Sequence, residues 1–216
     1  LSVDVNAALQ VAREVLPALA VLHDSRGVTH GTVGLERMVL TAQGRVVLVD
    51  YVLGLAVERL QYPRSRLWKD FRLAMPPTAG VPRLDQRADV AQVALVLLAL
   101  LLGRPVAFGE FPEGLRPLLQ LAVERLPDGT VRPLSALLRA WLERALPLET
   151  RKPFTTALDA QVAIEDLIKK ARGYSPSAAS LKAFLQRYEI CLAKETAPVE
   201  PKPQETPTRG SAGRPK

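Results

Sequence analysis

Apolar side chains recur at helical spacing near the start of the chain: Val5, Leu9, Ala12, Leu16, Leu19 and His23 fall three or four residues apart. Each such step is close to one helical turn, so these residues share a face. Asp4 offers a side-chain oxygen to the first turn and Gly27 a left-handed terminator, so the pattern predicts a helix over residues 4–23 in spite of Pro17. The period then changes. Residues 38–41 and 45–49 are short apolar or β-branched runs around Ala42-Gln43-Gly44, which predicts a hairpin turning at Gly44. Only this part of the chain reads as sheet.

Residues 57–82 carry Arg59, Arg64, Arg66, Lys69 and Arg72 among prolines with no sustained period, and read as a long surface loop. Residues 90–102 are the most apolar run of the chain, bounded by Asp89 and by Gly103-Arg104. A bilayer takes about 20 such residues, so this run is expected as a buried core helix. Three more helices are predicted near residues 113–125, 133–145 and 155–171, each set off by Pro or Gly. A last helix, over residues 177–194, places Leu181, Leu185, Tyr188 and Leu192 on one side. From Glu195 onward Pro198, Pro201, Pro203, Pro207 and Pro215 stand among polar residues, a composition too poor in hydrophobes to offset its ordering entropy. The expected organisation is a mainly α domain with a short β-hairpin over 1–172, an additional helix over 173–194, and a Pro-rich disordered linker or tail over 195–216 that leads to something further along.

The 216 residues, 48% of them hydrophobic, allow one domain with a real core plus a tail. A formal net charge of +7 suits an acidic partner, a nucleic acid or an anionic membrane surface. Aromatics make up only 5% of the chain and no basic run is interleaved with them, which argues against a stacking platform for nucleic-acid strands. Cys191 is the single cysteine, so no internal disulfide forms, and no paired Cys/His spacing indicates zinc. A reducing compartment, the cytoplasm, is the expected location. Leu1 opens no charged, then apolar, leader, which reads as a fragment without a signal peptide.

One stretch carries chemistry. Leu22-His23 precedes His30-Gly31-Thr32-Val33-Gly34-Leu35-Glu36-Arg37-Met38-Val39-Leu40, followed by the Gly44 turn and Val47-Leu48-Val49-Asp50-Tyr51-Val52. This order resembles the C-terminal lobe of bacterial Ser/Thr protein kinases, in which H-R-D-L-x-x-x-N leads through a hairpin into D-F-G. The resemblance runs over about residues 3–171, with Met75-Pro76-Pro77 at A-P-E, Asp85 to Asp89 opening the central helix, and Arg151 before the last core helix. It implies a protein-kinase-like C-lobe whose N-lobe is not present in this chain.

Carried over residue by residue, the resemblance implies lost catalysis. Thr32 stands at the base Asp, Arg37 at the metal-binding Asn, Gly34 at the catalytic-loop Lys and Val52 at the Gly of D-F-G. A positioned base is worth about 10² to 10⁴ in rate and the metal ions neutralise the phosphates, so both losses count. Asp50 is the remaining candidate for magnesium and, with ATP, for nucleotide binding. Arg37 offers a fork-shaped guanidinium to a phosphate as an alternative. His30 and Asp89 are expected as a structural pair joining loop to helix, and Arg151 as a structural residue deprived of its usual Glu partner by Pro77. Tyr62 and Ser65 occupy the region of activation-loop phosphosites, Ser65 between Arg64 and Arg66; an unmodified basic loop is the simpler reading.

The expected function is that of a pseudokinase, a regulatory or protein-interaction module in bacterial signalling that binds a protein partner and meets a membrane only through segments outside this chain. Two alternatives stand beside it. One is an unorthodox ATP-dependent kinase using Asp50 with an N-lobe outside the chain. The other is a basic helical nucleic-acid-binding protein, whose affinity falls steeply with salt.

Overall fold

The computed structural model of the chain describes residues 3–77, 80–148 and 152–196. Its first element, α1 (Val5–Arg26), starts where Asp4 Oδ1 accepts from the Ala7 N–H at 3.0 Å, and ends on Gly27 at φ 60°. The predicted face is buried at all six positions from Val5 to His23. Asn6 and Gln10, on other faces, are buried too. The reason is that α1 lies between α4 (Gln86–Leu102), α7 (Ala157–Lys170) and α8 (Ala178–Thr196). Among the described residues it is the one helix long and apolar enough to cross a membrane, and over half of that stretch is buried inside this fold.

The expected core helix is α4. Asp85 caps it through the Ala88 N–H at 2.9 Å and Gly103 closes it at φ 70°. Its apolar surface runs all the way round because α1, α6 (Ala136–Ala145), α7 and the strand β3 (Val123–Arg125) contact it from several sides. The predicted hairpin forms as β1 (Met38–Leu40) and β2 (Val46–Leu48), antiparallel, with Met38 opposite Leu48 and Leu40 opposite Val46. Those four side chains turn toward the core, and Val39 and Val47 point outward.

Five sequence-based expectations need correction. The surface loop over 57–82 is partly helical: α2 (Leu53–Glu58) ends at its start and α3 (Arg64–Phe71) lies within it. Leu67 and Trp68 are buried, and Leu73 and Met75 join Val57, Leu84 and Ala88 in a small second core. An eight-residue helix is too short for a period to show. A second hairpin also exists, β3 paired with β4 (Val131–Pro133), turning at Asp128-Gly129 with Gly129 at φ 88°.

The second hairpin cuts short the helix expected over 113–125, which is only α5 (Leu115–Leu121). It also delays the next helix, because Pro133 belongs to β4 and Ser135 is the cap of α6. Finally, the stripe expected on the last helix holds only at its start: Leu181 is in the main core and Phe184 packs against it, while Tyr188 and Leu192 are exposed.

The additional helix is nonetheless part of the fold. Arg187 Nη2 donates to Asp4 Oδ2 at 3.0 Å. Arg13 pairs with Glu165 on α7 and donates to the Pro176 carbonyl ahead of α8 at 3.0 Å. Most of the Pro-rich tail, residues 197–216, lies outside the described residues.

Candidate functional site

Asp89, in the first turn of α4, has no exposed surface. Its Oδ1 accepts from the Gly31 N–H at 2.6 Å, and its Oδ2 accepts from the His30 N–H and from His23 Nε2, both at 2.8 Å. Three residues on, and so on the same helix face, Gln92 Oε1 accepts from the Val33 N–H at 2.6 Å while its Nε2 donates to the Gly31 carbonyl at 3.0 Å. Two side chains of one helix thereby satisfy the backbone of residues 30–33.

The expected pairing of His30 with Asp89 is made, but by the His30 backbone. The imidazole that meets Asp89 is that of His23. His30 instead donates from Nε2 to the Val49 carbonyl at 3.0 Å, which joins the loop to the strand ahead of Asp50. With the proton on Nε2, Nδ1 is left as an acceptor toward Thr32, whose N–H lies 3.4 Å away. Burial is the main cause holding His30 below its usual pKa; the nearby Asp89 and Asp50 oppose this and Arg37 adds to it.

Two glycines let the loop run so close to its neighbours. A Cβ on Gly54 would sit 2.3 Å from the His30 carbonyl, and one on Gly31, at φ 74°, would sit 2.9 Å from the Gly54 Cα. The sequence reading passed over His23 as a ligand of Asp89, and passed over Gln92, Gly31 and Gly54. Gln92 did carry a signal, since it is a polar residue inside an otherwise apolar run.

Thr32 is buried at 1% exposure, and Gly34 is extended. Arg37 donates from Nη1 to Glu36 Oε1 at 2.5 Å. Asp50 is exposed at φ 65°, and its carboxylate makes no hydrogen bond or ion pair among the described residues. A lone carboxylate does not fit a protein-held magnesium, and the described residues contain no group of three His, Cys, Asp or Glu able to hold a metal.

The basic pair expected around Ser65 is engaged elsewhere. Arg64 donates to the Met75 carbonyl at 2.8 Å, while Arg66 pairs with Asp70 and covers the Tyr62 ring at 3.7 Å from its centroid. Ser65 is exposed on α3 and Tyr62 is half-buried. Arg151 lies outside the described residues.

Two surfaces adjoin this loop. A cleft of about 430 Å³ is lined by Val33 to Glu36, by Gln92, Leu95, Val96 and Ala99 of α4, and by Trp68, Arg72 and Val106. Arg72 reaches over the Trp68 ring, 5.3 Å from its centroid. Exposed apolar side chains stand on the hairpin, where Val39 faces Val47 across the strands, and after Asp50 at Tyr51, Val52, Leu53, Leu55 and Leu60. No protein-family model matches the chain, and no curated protein matches it.

Proposed function

We propose that this chain is a kinase-like C-terminal lobe that has lost phosphotransfer chemistry and acts in the cytoplasm as a protein-interaction module in signalling. The observation that carries the reading is the loop over residues 30–37. Its backbone at residues 30–33 is held on α4 by Asp89 and Gln92, yet the positions matched to the base Asp and the metal-binding Asn carry Thr32, which is buried, and Arg37, which is paired with Glu36. That combination, a loop anchored on α4 without an Asp or Asn at the two matched positions, supports the reading of a catalytic loop without its chemistry. The exposed apolar side chains concentrated in residues 51–60, with the Val39–Val47 pair, support a polypeptide partner, because apolar surface of this density is commoner at interaction sites than scattered singly.

The test is phosphotransfer from labelled ATP to generic protein substrates by the longest natural form of the protein, as wild type and as Asp50→Ala. The expected outcome is no transfer above background in either. Transfer that disappears in Asp50→Ala would overturn the proposal in favour of an ATP-dependent enzyme. That second reading draws on one observation, the exposed and unpaired Asp50 carboxylate, and it requires ATP to raise the melting temperature only when magnesium is present.

A further inference from the structure

A second cleft, of about 460 Å³, shares no residue with the first. Its lining includes Pro76, Pro77, Pro147, Phe154 and two arginines, Arg87 and Arg144. Arg144 is held in place: Nε donates to the Lys152 carbonyl at 3.0 Å and the guanidinium lies 3.9 Å from the centroid of the Phe154 ring. This contact fixes the plane of the fork and leaves its two Nη groups for an acceptor. Arg87, half-buried in the first turn of α4, makes no hydrogen bond or ion pair among the described residues.

No described lining residue carries a carboxylate. Among the described lining residues the cleft thus holds two guanidinium groups and no carboxylate, close to the positive end of α4. Proline has no N–H, so these walls offer apolar contact and no competing donors. The complementary group is a dianion, and a phosphomonoester carries about −1.5 to −2 at neutral pH with three acceptor oxygens, where a single carboxylate carries one charge. The volume has room for roughly ten or more waters, well beyond one phosphate, so the ligand has an apolar body as well. We propose that this cleft binds a phosphorylated side chain of a protein partner, the phosphate between Arg87 and Arg144 and the flanking residues against the prolines and Phe154. The inference stands apart from the kinase-like reading, since it uses neither the loop over residues 30–37 nor Asp50.

The experiment titrates the full chain with a degenerate heptapeptide library carrying a central phosphoserine, phosphothreonine or phosphotyrosine, with the unphosphorylated library, and with inorganic phosphate. Saturable binding of the phosphorylated library alone is expected, weakened at least tenfold by Arg87→Ala and weakened again below about pH 6, where the phosphate loses its second charge. Arg144→Lys, which keeps the charge and loses the fork, should weaken binding several-fold while circular dichroism reports an intact fold. Three results overturn the proposal: no binding, binding indifferent to both substitutions, or inorganic phosphate binding as tightly as the peptides, which would mean a small-anion site only.

Discussion

At the scale of the residue, Asp89 is the position on which the candidate site depends most. Three donors end on its carboxylate, all within the protein interior, and a buried donor left unsatisfied costs about 1–3 kcal/mol. Asp89→Ala is expected to lower stability by roughly 3–5 kcal/mol in urea denaturation. A loss under about 1 kcal/mol would show that water replaces the carboxylate and that the loop is held by something else. His30 makes a second prediction. Burial depresses its pKa below 6.5, so on acidification the unfolded chain takes up a proton that the folded protein refuses. Stability therefore declines as the pH falls through about 6.5, and His30→Gln, which cannot titrate, should show a shallower decline between about pH 7 and 5. An unchanged slope would mean that His30 titrates alike in both states. Of this site the sequence reading singled out Asp89, His30, Thr32 and Arg37. It did not display which histidine meets Asp89, because His23 arrives from another helix, 66 residues away along the chain.

The elements divide by length. α1 and α4 are long, and their caps are local: Asp4 and Asp85 bond amides three residues ahead, so both ends could be read from neighbouring letters. β3, β4, α2 and α3 are short, and short segments take their conformation from what they pack against. Trp68 shows this well, since its ring stacks on Phe111 at 4.4 Å and its Nε1 donates to the Phe108 carbonyl, contacts that no local pattern announces. The second hairpin similarly rests on buried Glu124, which accepts from Arg132 Nε and from the Ser135 N–H, both at 2.7 Å, and from the Tyr174 hydroxyl. Burial beside that carboxylate pushes the Tyr174 phenol up to about 12. Between α2 and the loop, Gly54→Ala forces a Cβ to within 2.3 Å of a backbone oxygen, which only a backbone shift relieves. A destabilisation of about 1–3 kcal/mol is expected, together with faster exchange of the Gly31 and Val33 amides. If Gly54→Ala leaves that exchange unchanged, the close approach of α2 to the loop is not tight.

For the whole molecule, the question is whether α8 belongs to the fold or merely follows it. Leu181 is 1% exposed within the main core, and the start of α8 lies against the Gly44 turn, where a Cβ would meet the Ala178 carbonyl at 2.2 Å. Leu181→Ala is therefore expected to cost about 2–4 kcal/mol and to shift one cooperative melting transition, seen by calorimetry, without splitting it in two. Two transitions would make α8 a separate unit. The sequence by itself determined the helical class, the two long core helices and the first hairpin, because periodicity, caps and side-chain identity are local properties. Tertiary structure alone decided that the loop at residues 30–33 is carried by Asp89 and Gln92, that α3 and the second hairpin form, and that two arginines share a cleft. Those outcomes depend on burying polar groups against partners distant in sequence, and a buried donor or acceptor can be satisfied only after the chain has brought its partner to it.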